Sequence, residues 1–211
     1  MTTPRPHDDA LRLDLIHATA LLIASGGPTA VSLREVASAC NTSTTAIYSL
    51  FGGKSQLIYA VAAEGFADLA ITLASVPSAE LPGADGDRER AAHALTVLAA
   101  TYRQWALAHP ALFTAMFSLT STSSAPMPWG PSARNQRALE LEDLVESSLR
   151  SALQPMREAA AVAARPGADP ESVLNAVWVP VHGWVVLELQ GRLAAGECET
   201  YTSGIIRGAL A

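Results

Sequence analysis

Apolar residues in the first seventy-five positions return every three or four places, not every second one, so the chain reads as helices. Leu11, Leu15, Ala18 and Leu22 fall on one stripe of a first helix. Asp8 and Asp9 cap its start, and Gly26-Gly27-Pro28 stops it. Ser32 caps a second helix, with Glu35 three residues on as its capping-box partner; Leu33, Val36, Ala37 and Cys40 give the buried face. Ser43 caps a third, short helix that ends near Phe51. Gly52-Gly53 follows, and a fourth helix runs from Lys54 to about Ser75.

The same period continues downstream. "PSAELPGADGD", Pro77 to Asp87, is a loop by composition. Helices are expected over Arg88 to Ala108 and Ala111 to Leu119, separated by His109-Pro110. "TSTSSAPMPWGPS" is a second loop. Arg134 to Ala164 reads as helix with a kink or break at Pro155, and "RPGADP" interrupts it. Glu171 to Ala195 is a long apolar helix containing Pro180, and a last helix spans Glu197 to Leu210. There is no internal repeat and no strand-like alternation. The fold class is all-α.

Composition narrows the function classes. Hydrophobic residues are 49% and charged residues 16%, which excludes a disordered chain. No apolar run reaches the length needed to cross a bilayer and no basic-then-apolar leader opens the chain, so the expected address is the cytoplasm, with no membrane partner. Cys40 and Cys198 are too few for a zinc cage and are read as reduced thiols. A net charge of −6 argues against nonspecific nucleic-acid binding by the whole molecule, though not against a local reading patch. Up to residue 54, Arg5, Arg12, Arg34 and Lys54 balance Asp8, Asp9, Asp14 and Glu35, so the deficit lies entirely beyond. A neutral reader predicts a shallow salt dependence per subunit, with affinity coming from dimerisation and direct readout.

The segment "NTSTTAIYSLFGGK" joins these strands of argument. A helix ending at Cys40, a tight Asn41-Thr42 connection and a helix starting at Ser43 form a helix-turn-helix. Asn suits the turn because it tolerates a left-handed backbone. Ile47 and Phe51, with Leu50 near them, pin the third helix inward and leave Thr44, Thr45, Tyr48 and Ser49 pointing out. Small hydroxylated residues at a helix N-terminus let it sit deep in a major groove, and the terminal N–H groups, with Ser43, can meet a phosphate. Lys54 reaches the backbone as a point charge. A surface helix made polar only for solubility would share the composition but not the spacing of all three helices.

"SLREVASACNTSTTAIYSLFGGKSQLIYAV" resembles the DNA-binding domain of the TetR family of bacterial transcription regulators, over roughly residues 8 to 62. Asn41, Ser43, Ile47-Tyr48, Phe51 and Lys54 occupy the family's turn, cap, apolar-Tyr, Phe and Lys positions. The resemblance implies that Arg34, Thr44, Thr45, Tyr48, Ser49 and Lys54 face DNA. Asn41 stands where Gly is usual, Leu50 where a polar residue is common, and Ser49 is small for a base reader, so discrimination leans on Arg34, Thr44 and Thr45. The implied organisation is a reader over 1–53 and a helical effector-binding and dimerisation domain over 54–211.

Past residue 60 the sequence clusters aromatics. "TYRQWALAHPALFTAMF" carries Tyr102, Trp105, Phe113, Met116 and Phe117 around a helix break. "NAVWVPVHGWVVLELQGRL" carries Trp178, Pro180, His182, Gly183, Trp184 and Glu188. Pro180 frees a carbonyl, Gly183 admits a neighbouring backbone, and a kinked helix with His and Glu makes a pocket wall. The competing reading is ordinary core. His182 and Glu188, six residues apart, are not stacked on the helix and need not pair. This part is similar to the "WHG" type of TetR ligand domain, through Val181-His182-Gly183 and "LELQGRL". That similarity implies a pocket for a small apolar or aromatic effector, touching Trp105, Phe113, Met116, Phe117, Trp178, His182, Trp184 and Glu188. It also implies a homodimer built from the long helices near 134–164 and 170–195, on a palindromic double-stranded operator.

An enzyme using His182 and Glu188, or His93 and His109, is the rival class. The sequence has no nucleophile motif, phosphate loop or metal-spaced cluster, so no catalytic residue, cofactor or metal ligand is assigned. A purely structural dimer leaves Thr44, Thr45 and Tyr48 unexplained. The expected function is a sequence-specific DNA-binding regulator, a repressor released by its effector. The alternative is a constitutive DNA-binding dimer without a pocket.

Overall fold

The computed structural model describes residues 6–76, 86–120, 136–193 and 198–210. The helices are α1 Pro6–Gly26, α2 Leu33–Ala39, α3 Thr44–Phe51, α4 Lys54–Ala74, α5 Asp87–Ala108, α6 Pro110–Thr120, α7 Gln136–Ala152, α8 Gln154–Ala163, α9 Pro170–Leu189 and α10 Cys198–Leu210, with a 3-10 turn at Pro28–Ala30. All regular structure among the described residues is helical, as the periodicity requires. The two expected loops at 77–87 and 120–132 lie almost wholly outside the described residues, as do the expected helix starts at Arg134 and Glu197. So do the cap at the Asp8 side chain and the thiol of Cys198.

Packing divides the chain into two compact units. One holds the described residues of Met1–Ala67 and Ala111–Leu149, the other Asp68–Pro110 and the described part of Arg150–Ala211. In the first unit, α1 is buried along Leu15, Ile16, Thr19, Ala20 and Ile23. Leu11, Ala18 and Leu22 are only half-buried, so the stripe expected through them is rotated around the helix. Thr19 escaped the apolar pattern because its hydroxyl donates to the Leu15 carbonyl at 2.7 Å, which removes the cost of burying it. α1 begins at Pro6, earlier than the Asp8-Asp9 cap implied.

α4 and α6 meet in this unit at Gly65. A Cβ there would lie 2.7 Å from Met116 Cγ and 3.1 Å from Leu112 Cγ, so only glycine fits without displacement. Beside it the Phe66 and Phe117 rings meet edge-to-face at 5.7 Å. Gly65→Ala is expected to overpack this contact at a cost of about 1–3 kcal/mol. Its thermal midpoint should drop by several degrees; an unchanged midpoint would show that the helices can move apart freely.

In the second unit α5 packs on α8, α9 and α10, and α9 on α8 and α10. Leu95, Leu98, Ala99, Tyr102, Trp105 and Ala106 are the buried face of α5. On the helices packed against it, Met156 and Ala160 of α8, Val177 and Val181 of α9 and Ile206 of α10 are likewise nearly inaccessible to solvent. Arg88 closes one end: its Nε donates to the Ala163 carbonyl at 2.8 Å and its Nη2 to the Leu210 carbonyl at 2.9 Å. One guanidinium thus satisfies carbonyls at the C-terminal ends of α8 and α10, where the helix dipoles favour a cation.

Several element ends differ from the sequence expectation. The break expected at Pro155 within Arg134 to Ala164 is present, two residues earlier, at Leu153 (φ −85°, ψ 3°), which separates α7 from α8. Pro155 sits in the first turn of α8, where its missing N–H costs nothing. α9 starts at Pro170 because the Asp169 carboxylate accepts from the Ser172 amide at 3.0 Å and the Glu171 amide at 3.4 Å. It ends at Leu189, not at Ala195. Gly191 takes φ 68° and the Arg192 amide bonds to the Leu187 carbonyl, a glycine stop within "LQGRL". Pro180 lies inside α9 without ending it. Nothing among the described residues comes within 4 Å of a Cβ built on Gly183, so the expected close backbone approach is absent there.

α4 and α9 are each long and apolar enough, by length and composition, to cross a bilayer. The expectation that no apolar run reaches bilayer length therefore does not hold for them by length and composition, though Glu64 and Asp68 divide α4 and Glu171 and Glu188 bound the uncharged stretch of α9. Much of their apolar surface is core: Leu57, Val61, Phe66, Leu69 and Leu73 on α4 and Val177, Val181 and Val185 on α9 are fully buried.

Candidate functional site

The turn between α2 and α3 is set by hydrogen bonds that its sequence makes available. Ser32 Oγ accepts from the Glu35 amide and starts α2. At the other end Asn41 adopts φ 50°, the Asn41 amide donates to the Ser38 carbonyl at 3.2 Å, and the Thr42 amide donates to the Ala37 carbonyl at 2.9 Å. That pair of bonds is the left-handed helix stop that glycine usually provides, made here by asparagine. Ser43 Oγ then accepts from the Ala46 amide at 3.2 Å and opens α3. Gly52, at φ 86°, closes α3 with its amide on the Tyr48 carbonyl at 2.9 Å.

α3 is anchored by Ile47, which is fully buried. Leu50 and Phe51 are half-buried, and the Arg12 guanidinium lies 5.9 Å above the Phe51 ring. Arg12 also bonds Glu64 of α4 at 3.0 Å, so one cation bears on both α3 and α4. The opposite face of α3 is open: Thr45, Tyr48 and Ser49 are exposed, and Thr44 is half-buried. Arg34 on α2 is exposed as well. Ser43 is exposed, but its oxygen is already an acceptor in the cap. Lys54 opens α4 and its ammonium donates to the Thr29 carbonyl at 3.3 Å, leaving two protons for other acceptors. Cys40 is half-buried beside this turn; burial and the charge of Asp14 both raise its pKa and keep it a thiol.

The eight residues expected around an effector fall in both units. Phe113 and Met116 are buried in the first unit, and Phe113 packs on Phe117 at 4.9 Å. They fill the space between α6 and Gly65-Phe66. In the second unit the Trp105 indole donates to Asp68 Oδ2 at 2.7 Å. Trp178 lies against the His182 ring at 5.3 Å, and Trp184 against Tyr201 at 4.6 Å. The Trp184 indole nitrogen is buried with no hydrogen-bond partner among the described residues.

Polar residues on α5 take up two of the three titratable groups of α9, His182 and Glu188. The Tyr102 hydroxyl meets His182 Nδ1 at 2.7 Å. Burial raises the Tyr102 pKa and lowers that of His182, so a neutral phenol meets a neutral imidazole. Arg103 holds Glu188 through two bonds, Nε to Oε2 at 2.7 Å and a second from Nη2 to Oε1. The Glu188 side chain is 7% exposed, so this is a buried ion pair. His182 and Glu188 do not pair with each other; each has its own partner on α5. Arg103 was missed because a lone arginine in an apolar helix carries no signal of its target.

The buried His182 has a consequence for stability. Its folded-state pKa lies below the ordinary value, so the unfolded chain takes the proton first as pH falls. Stability from the neutral imidazole is full above about pH 6.5 and is lost as pH falls from there toward the folded-state value. His182→Gln should flatten that loss. Thermal midpoints of parent and variant between pH 7.5 and 5 should converge as pH falls; parallel curves would contradict it.

The second unit also holds a cavity of about 550 Å³. Its apolar wall includes Leu73 of α4, Ala91, Ala94 and Leu98 of α5, and Ala159 and Val162 of α8. None of the eight expected effector residues lines it. The pattern that selected them was aromatic, whereas this wall is built of alanine, leucine and valine. Among the described residues no group of three or more metal-ligating side chains occurs.

The chain matches two family models. Residues 15–61 match that of bacterial regulatory proteins of the tetR family, and residues 95–203 that of the tetracyclin repressor-like C-terminal domain. No curated protein matches the chain. Among solved structures, a TetR family transcription regulator from Marinobacter aquaeolei VT8 is similar at 18% identity and a TM-score of 0.65, over 98% of this chain and 97% of that one. The fatty acid degradation regulator FadR from Bacillus halodurans is similar at 13% identity and a TM-score of 0.66, over 100% and 97%. A TetR transcriptional regulator from Rhodococcus sp. RHA1 shares 20% identity at a TM-score of 0.58, over 97% and 98%. At these identities the structures speak for the fold, and the family models for the family. The chain belongs to the TetR family: it is a DNA-binding transcription regulator with a ligand-binding C-terminal domain.

Proposed function

We propose that the chain is a cytoplasmic homodimeric repressor that reads a palindromic operator and is released by a small apolar effector. Residues 1–53 read the DNA, and residues 54–211 bind the effector and form the dimer. The protein acts by binding, without catalysis, cofactor or membrane. The observation that carries this reading is the open face of α3, with Thr45, Tyr48 and Ser49 exposed on a helix whose other side is fixed by a fully buried Ile47. Arg34 and Lys54 flank that face as phosphate or base contacts.

Dimerisation follows from need and from surface. One short reading helix contacts too few base pairs for genomic specificity, and a two-fold pair repeats the half-site. On α9, Ala176, Val179, Gly183 and Leu187 form an exposed small and apolar stripe at helical spacing. Val179 is 54% and Leu187 41% exposed, and a second copy covers them at lower cost than water does. Release works only as far as the effector binds the DNA-free state more tightly; a coupling of about 1–3 kcal/mol gives roughly 5- to 150-fold. Light-scattering mass at micromolar concentration tests the assembly. A two-chain mass free and on DNA supports it, and a monomer in both states overturns it.

A further inference from the structure

We propose that the cavity bounded by α4, α5 and α8 is the effector site, and that its ligand is a small apolar molecule carrying one positive charge. This rests on the reading of the chain as effector-controlled and adds the ligand's chemical class. At about 550 Å³ the cavity lies within the roughly 300–1,000 Å³ of small-molecule sites. Leu73, Ala91, Ala94, Leu98, Ala159 and Val162 offer an apolar ligand hydrophobic contact. Recognition by charge therefore falls to the three charged residues that line it, Asp87, Arg90 and Glu158.

These three are not balanced. The Arg90 guanidinium is already held by the Asp87 carboxylate three residues before it on α5. Glu158, on α8, accepts only from the neutral amide of Gln154, at 2.8 Å. Among the described residues no cation pairs with Glu158. Among the described residues the lining therefore carries one net negative charge, on the exposed Glu158 of α8, with the Asp87–Arg90 pair on α5. An anionic head group would meet an uncompensated carboxylate, and the only guanidinium there is engaged. An ammonium finds Glu158 unpaired. The attraction in a solvent-reached mouth is modest, so the expected preference of cation over anion is on the order of tenfold.

The test is isothermal titration of the full chain at pH 7.5 with octylammonium, 1-octanol and octanoate, which share one apolar chain and differ in head charge. Octylammonium should bind about tenfold tighter than octanoate, with octanol between them. Glu158→Gln should bring the two charged probes within twofold. Ala94→Phe, which fills the cavity, should abolish binding of all three; Ala159→Phe serves as a second block should the first variant fold poorly. Octanoate binding as well as octylammonium, a preference that survives Glu158→Gln, or no binding by any probe overturns the proposal. Octylammonium binding that leaves operator affinity unchanged sinks effector release while the site stands. An effector that still releases DNA from both blocked variants sinks the site while release stands.

Discussion

Tyr48→Ala and Lys54→Ala are each expected to abolish or strongly weaken operator binding while the protein stays folded. Lys54 is the only lysine in the chain, and it sits on the first turn of α4 beside the open face of α3. Its ammonium spends one proton on the Thr29 carbonyl and keeps the others for a phosphate. Tyr48 is 57% exposed, and its ring edge passes 3.8 Å from a Cβ built on Gly53. Loss of one charge-assisted contact costs about 1.5–3 kcal/mol, and two subunits double it. Operator affinity should then fall on the order of 10²- to 10⁴-fold. Neither residue contributes to the buried core, so helical content and thermal midpoint should stay near those of the parent. An affinity within twofold of the parent for Lys54→Ala would show that this segment does not meet DNA as described.

Arg103→Ala is the second large effect, and it acts on stability. The substitution strands Glu188, whose side chain is only 7% exposed, without its cation. Breaking a buried pair by removing one partner costs about 3–5 kcal/mol. For a chain of this size that corresponds to a midpoint lower by roughly 6–20 °C. The double variant Arg103→Met, Glu188→Leu should recover most of the loss, because apolar replacements remove the stranded charge along with the attraction. Recovery separates the cost of an unpaired carboxylate from loss of packing. A single variant as stable as the parent would mean that water already reaches Glu188.

The reader was legible because its signals are local. Ser32, Ser43, Asn41 and Gly52 each act on the backbone within a few residues, and the structure finds each at the turn or cap it marks. Helix periods were legible for the same reason, since a stripe needs only one turn of neighbours. What failed was information held by distant partners. Arg103 and Tyr102 on α5 fix what Glu188 and His182 on α9 can do, and their separation in sequence is about eighty residues. The cavity escaped notice because alanine and valine line it, and small apolar residues look the same whether they border space or fill it. α9 was read past its end because Leu193, Ala194 and Ala195 resume an apolar pattern beyond Gly191, which stops the helix all the same.

The central claim is that two copies of this chain read one inverted repeat through α3. Selection of bound fragments from a random double-stranded DNA pool tests it most directly. The account predicts one enriched motif with two-fold symmetry, its half-sites about one helical turn apart, about 10 base pairs, and lost when Tyr48→Ala replaces the parent. Enrichment of no motif, or of a motif without symmetry that Tyr48→Ala selects equally well, would contradict it.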